Sequence, residues 1–125
     1  MAKTVLVIDD EEILTKTFAR LLEKQGYQVL MALRADDAFA IAEVEDFDLI
    51  LSDIRLPGKN GIEIVKGIIA ILAKMGKPKP PIIFITGFAD ESLEKSAQAL
   101  APVAYLAKPF DVQKLLKLIQ TQTGL

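Results

Sequence analysis

The sequence predicts an α/β fold, a parallel sheet wound on both faces by helices. Two observations carry that expectation. Short apolar runs without polar alternation recur along the chain, as strands buried on both faces require. Stretches with helical spacing of apolar residues separate them, giving the order βαβαβαβαβα. Right-handed crossovers restrict such an order to a few doubly wound topologies.

The first run, Val5-Leu6-Val7-Ile8, is rich in β-branched residues and reads as a buried strand. Leu14, Phe18, Leu21 and Leu22 follow at i, i+4, i+7 and i+8, one face of a helix that Gly26 stops. Gln28 to Ala32 is a weaker strand, and Ala35 to Val44 an alanine-rich helix. Leu49-Ile50-Leu51 is the third strand. Val65, Ile68, Ile69 and Leu72 then mark a helix that ends at Gly76. Lys77-Pro78-Lys79-Pro80-Pro81 is a stiff connection into the fourth strand, Ile82 to Ile85, and not a domain linker. Asp90 to Leu100 carries Leu93, Ala97 and Leu100 on one stripe. The fifth strand spans Val103 to Leu106, and Val112, Leu115, Leu116 and Ile119 give the last helix.

Composition narrows the chemistry. With 125 residues and 51% hydrophobic content, residues 1–125 suit one domain with a sizeable core. A net charge of -2 offers no basic footprint, which disfavours direct nucleic-acid binding and attraction to an anionic membrane. The chain has no cysteine and no histidine. That excludes disulfides, thiolate chemistry, Ser-His-Asp catalysis, His-ligated zinc and phosphohistidine transfer by this chain. Any metal must be held by oxygen, which favours Mg²⁺, Ca²⁺ or Mn²⁺. Met1-Ala2-Lys3-Thr4 runs straight into the first strand with no signal-peptide pattern, and no apolar stretch is of bilayer length. A cytoplasmic location is expected.

In an open α/β sheet, ligands bind beyond the carboxyl ends of the strands. Those ends are polar here. The first strand runs into Asp9-Asp10-Glu11-Glu12, the third into Ser52-Asp53, the fourth into Thr86-Gly87, and the fifth leads to Lys108-Pro109. Asp9 and Asp10 also suit the N-terminus of the following helix, where acids act as caps. Asp53, by contrast, abruptly ends an apolar run. If the first and third strands are neighbours, three carboxylates converge, and two like charges at about 4 Å repel by roughly 4 kcal/mol at an effective dielectric of 20. A divalent cation relieves that repulsion. Thr86 offers a hydroxyl donor and Lys108 a compact positive charge to a phosphoryl oxygen. Gly87 lets the backbone approach closely or is an ordinary turn residue. Asp53, ionised at neutral pH, can attack phosphorus to give an aspartyl phosphate with no general base.

With these residues in place, the chain resembles the receiver domain of bacterial two-component response regulators. The resemblance rests on Val5-Leu6-Val7-Ile8-Asp9-Asp10-Glu11, on Asp53-Ile54-Arg55-Leu56-Pro57 running to Gly61, on Thr86-Gly87, and on Tyr105-Leu106-Ala107-Lys108-Pro109-Phe110. It covers essentially the whole length. It implies a flavodoxin-like fold with strand order 2-1-3-4-5, an order that also describes a chemotaxis receiver. It implies Asp53 as phosphoacceptor and a Mg²⁺ ion, with Mn²⁺ as a substitute. Asp10, Asp53 and the backbone carbonyl of Arg55 would be the ligands, and Asp9 would act through a bound water. Thr86 and Lys108 would contact the phosphoryl group, and Lys108-Pro109 would be cis. Thr86 would shift toward the phosphate and Tyr105 would turn into the space left behind. Read without the resemblance, Tyr105 is a half-buried strand aromatic.

The resemblance further implies a regulatory domain that assists its own phosphorylation and dephosphorylation, not an enzyme. The donor would be a sensor histidine kinase or a histidine phosphotransfer protein. An output partner or domain would read the surface of the fourth helix, fifth strand and fifth helix, which could also form a homodimer. Two features depart from the family pattern. Leu100-Ala101-Pro102 replaces the usual Gly-Ala turn before the last strand, and Arg55 and Phe88 fill two variable positions beside the pocket. Rival readings fit less well. A phosphotransferase of another α/β fold would need an acid two residues after the nucleophile, where Arg55 stands. A flavin module would need a glycine- or serine-rich phosphate loop where Asp9 to Glu12 stand.

Overall fold

The computed structural model describes residues 2–55, 60–87 and 91–124, apart from the side chains of residues 13–15. Strands β1 (Thr4–Ile8), β2 (Gln28–Ala32), β3 (Leu49–Asp53), β4 (Ile82–Thr86) and β5 (Ala104–Ala107) alternate with helices α1 (Glu12–Lys24), α2 (Ala35–Val44), α3 (Gly61–Lys74), α4 (Glu91–Gln98) and α5 (Val112–Thr123). Among the described residues the strands form one parallel sheet in the order β2-β1-β3-β4-β5. The flavodoxin-like topology expected from the sequence is therefore the one observed. Leu56 and Pro57 of the second motif, together with Phe88 and Asp90, lie outside the described residues, as does the side chain of Leu14.

Alternate residues of each strand feed two separate cores. Leu6, Ile8, Ile50, Ile82 and Phe84 face α2, α3 and α4, where Ile64, Val65, Ile68 and Leu72 complete the packing. Val5, Val7, Leu49, Leu51, Ile83 and Ile85 face α1 and α5, against Phe18, Leu22, Leu115, Leu116 and Ile119. This is why the runs show no polar alternation: both faces of β1, β3 and β4 are dry. The two outer strands depart from that expectation. β5 is only partly buried, like β2, because each has a neighbour on one side alone.

Helix ends follow local chemistry. Asn60 caps α3 by accepting the Glu63 N–H at 2.9 Å, and Asp111 caps α5 by accepting the Gln113 N–H at 2.9 Å. Gly26 and Gly76 take φ of 94° and 72° just past α1 and α3, as the sequence reading requires of helix stops. The exit of α4 is the unusual one. Ala101 stands at φ 51°, a left-handed position without glycine, and the Leu100 carbonyl before it accepts from the Lys79 ammonium.

Candidate functional site

The site is built where β1, β3, β4 and β5 end. Because β1 pairs with β3 in register (Ile8 beside Ser52), the residues that follow them come together. Carboxylate oxygens of Asp9, Asp10 and Asp53 all lie within 4.8 Å of one another. Asp9 and Asp53 are 5% and 7% exposed, whereas Asp10 is open to solvent. Oxygens each about 2.1–2.4 Å from one ion can be no more than roughly 4.8 Å apart, so the cluster has dimensions that suit a shared divalent cation. The donor set, oxygen throughout, suits a hard cation such as Mg²⁺ or Ca²⁺.

Capping does not explain the aspartates. The residue that caps α1 is Glu11, with no side-chain cap bond, while Asp9 Oδ1 accepts the Glu11 N–H at 3.0 Å. Burial pushes the Asp9 carboxyl up to about 6. The Glu11 N–H and the charge of Lys108 work against that rise, and the negative charges of Asp53 and Glu11 add to it. Ionised Asp9 is therefore a cost to the fold unless a positive charge offsets it.

Asp53 accepts from two donors. Its Oδ1 takes the Arg55 N–H at 3.0 Å and its Oδ2 the Lys108 ammonium at 3.0 Å. Lys108 also lies 3.8 Å from Glu11 Oε1. Burial opposes the charge on Lys108, yet the hydrogen bond and charge of Asp53, then the charges of Asp9 and Glu11, raise its pKa above the ordinary lysine value. The ammonium therefore stays charged at neutral pH. Lys108 reaches this point because its N–H donates to the Thr86 carbonyl at 2.7 Å, extending the β4–β5 ladder. The Lys108-Pro109 bond is cis, as the resemblance implied. Thr86 is 1% exposed at the end of β4, and Tyr105, opposite Phe84 in the ladder, packs partly buried against the core beneath α2, α3 and α4.

Two glycines exchange importance. A Cβ at Gly87 would meet only the Lys108 stem at 3.7 Å, an ordinary contact, so close approach does not require glycine there. Gly61 is different. A Cβ there would lie 1.9 Å from the Asp53 carbonyl oxygen and 2.7 Å from Ser52 Oγ. Ser52, wholly buried, donates to that same carbonyl at 2.9 Å, and the Gly61 N–H donates to Ile54 O at 2.6 Å. The first turn of α3 thus presses on the backbone that carries Asp53. Sequence reasoning used Gly61 only to close a motif, and it overlooked Glu11 as an ion partner of Lys108.

Comparison with known proteins identifies the family. A family model described as the response regulator receiver domain matches residues 5–120. The transcriptional regulatory protein CrdR of Helicobacter pylori is 33% identical over 115 residues, covering 92% of this chain and 52% of CrdR. The chain thus spans about half the length of that relative and of PdtaR from Mycobacterium tuberculosis, of which it covers 55%. The polar-differentiation response regulator DivK of Brucella ovis is 30% identical over 124 residues, covering 99% of this chain and 98% of DivK. Among solved structures, a response regulator from Burkholderia pseudomallei with a phosphorylated aspartic acid, calcium ion and citrate superposes with a TM-score of 0.82. It is 33% identical and covers 98% of this chain and 69% of its own. Vibrio cholerae chemotaxis protein CheY4 gives a TM-score of 0.83 at 29% identity, covering 98% of this chain and 99% of its own. With residues 5–120 matched by the family model and the sheet in the order β2-β1-β3-β4-β5, the chain belongs to the receiver-domain family of two-component response regulators.

Proposed function

We propose that residues 1–125 act as one phosphoacceptor unit in which Asp53 takes a phosphoryl group in a Mg²⁺-dependent reaction. The donor is a sensor histidine kinase or a histidine phosphotransfer protein. The observation that carries this reading is the convergence of Asp9, Asp10 and Asp53 within 4.8 Å, with the Lys108 ammonium 3.0 Å from Asp53. The phosphorylated aspartic acid and calcium ion in the Burkholderia pseudomallei relative support it.

Asp10, Asp53 and the Arg55 backbone carbonyl would hold the cation, with Asp9 acting through water, and Mn²⁺ would substitute. Bound Mg²⁺ would offset the clustered carboxylates and the charge on the transferring oxygens. A lone pair of the Asp53 carboxylate attacks phosphorus. The new O–P bond forms as the donor's P–N bond breaks, and the released imidazole keeps the electron pair and takes a proton from solvent. No general base is required, which suits a pocket without histidine. Thr86 and Lys108 then hold phosphoryl oxygens.

The new charge, about −1.5 to −2, biases a pre-existing equilibrium. Thr86 moves toward it and Tyr105 turns inward, so that α4, β5 and α5 present a changed surface to an output partner or to a second copy. The chain in this reading is a regulatory domain that assists its own phosphorylation and dephosphorylation. It works in the cytoplasm and touches neither membrane nor nucleic acid itself. No helix among the described residues is long and apolar enough to cross a membrane.

Incubation with acetyl phosphate, with and without Mg²⁺, followed by intact-mass measurement, tests the proposal. One added phosphoryl group that requires the metal is expected. Uptake that ignores metal removal counts against it.

A further inference from the structure

We infer that Glu11 is a positioning residue: its carboxylate is a second seat for the Lys108 ammonium, which moves there to release Oδ2 of Asp53 for phosphoryl transfer. The inference rests on the phosphoacceptor role proposed for Asp53.

Both oxygens of Asp53 accept a hydrogen bond, Oδ1 from the Arg55 N–H and Oδ2 from Lys108, each at 3.0 Å. An ammonium bonded to a carboxylate oxygen withdraws electron density from it and places a cation where phosphorus must approach. Attack through Oδ2 therefore needs the ammonium to shift. Glu11 Oε1 lies 3.8 Å from the same nitrogen, inside ion-pair range and beyond hydrogen-bonding range. A movement of about one ångström toward Glu11 converts that contact into a hydrogen bond of ordinary length.

Three features favour such a shuttle. The Lys108 stem has four rotatable carbons, so its ammonium can swing between the two carboxylates without moving the backbone. The backbone of Glu11 is anchored, since its N–H donates to Asp9 Oδ1 at 3.0 Å, so the seat keeps its place beside the aspartates. The side chain of Glu11 is 63% exposed against 7% for Asp53. A pair with Glu11 is solvated and weak, so the ammonium can return to a phosphoryl oxygen once transfer is complete. Lys108 remains charged in either seat, because each is a carboxylate.

The test is the rate of phosphorylation by acetyl phosphate at saturating Mg²⁺, measured across donor concentrations for the wild type, Glu11→Gln, Lys108→Ala and the double variant. In this reaction the Asp53–O–P bond forms as the donor's P–O bond breaks and acetate departs with the electron pair. Glu11→Gln is expected to lower the limiting rate roughly two- to five-fold, the range an exposed ion pair can supply, and to leave the half-saturating donor concentration nearly unchanged. In the Lys108→Ala background the same change is expected to have no further effect, because nothing remains to be seated. Glu11 acting only through its charge would give the opposite: its removal would speed reaction with an anionic donor, or slow both backgrounds equally. Either result, or an unchanged limiting rate, overturns the inference while leaving Asp53 as phosphoacceptor. A wild type that takes up no phosphoryl group overturns both.

Discussion

The Lys108 ammonium lies 3.0 Å from Asp53 Oδ2, although 55 residues of chain separate them. Asp53 stands at the end of a central strand and Lys108 just past an edge strand, with β4 between them. The pair compensates a carboxylate that is 7% exposed and that has Asp9 and Asp10 for neighbours.

Lys108→Ala leaves that carboxylate among like charges with, among the described residues, the Arg55 N–H as its donor. The metal-free protein is expected to lose on the order of 1–3 kcal/mol, since removing one partner of a buried pair exposes the desolvation cost of the other. Urea unfolding in the presence of a chelator measures the loss. Added Mg²⁺ is expected to restore part of it, and equal stability of variant and wild type in chelator would remove the compensating role of Lys108.

Burial pushes the Asp9 carboxyl of the folded chain up to about 6, from an ordinary value of 3.8. Between those values the folded chain holds a proton that the unfolded chain has released. Stability therefore falls as pH rises through this window, and the cost is complete above about pH 6. Asp9→Asn is expected to be as stable as the wild type near pH 4 in chelator, and more stable near pH 7, by on the order of 1–3 kcal/mol. Parallel stability curves for the two proteins would show that Asp9 ionises in the fold without strain.

Gly61→Ala forces a methyl group into the Asp53 carbonyl. Backbone must yield, at a cost of about 1–3 kcal/mol for overpacking. Because the displaced atoms belong to Asp53, the proposed phosphoacceptor, uptake from acetyl phosphate is expected to fall more than a general loss of stability explains. Gly87→Ala serves as the control, since its Cβ meets only an ordinary contact.

Most of this arrangement was legible in the sequence, for a definite reason. Strands dry on both faces must read as unbroken apolar runs, so the polar residues that end them, Asp9, Asp53 and Thr86, stand out. Lys108 was legible through its place after the fifth run. What stayed hidden depends on distances that residue type does not encode. Glu11 reads as one more acid at a helix start, and only the fold brings Lys108 to it. Gly61 and Gly87 look alike on paper, and only the packing of α3 against β3 tells them apart. The fifth strand was read with the central ones because Val103, Ala104, Tyr105 and Leu106 form an apolar run, whatever lies beyond the sheet edge.

The departure at Leu100-Ala101-Pro102 has a measurable counterpart. Ala101 holds φ 51°, which costs a residue with a Cβ roughly 1 kcal/mol. Ala101→Gly is expected to raise stability by up to about 0.5 kcal/mol, the relief being partly offset by the greater freedom of glycine in the unfolded chain. A fall in the denaturant midpoint would mean that the turn tolerates alanine without strain.

The most direct measurement is to locate the phosphoryl group. After reaction with acetyl phosphate and Mg²⁺, borohydride reduction converts an acyl phosphate to an alcohol, and peptide mass spectrometry finds the residue. Homoserine at position 53 alone, with no uptake in Asp53→Asn, is the result expected. Reduction at Asp9 or Asp10, or uptake that survives in Asp53→Asn, would contradict the assignment of Asp53 as phosphoacceptor.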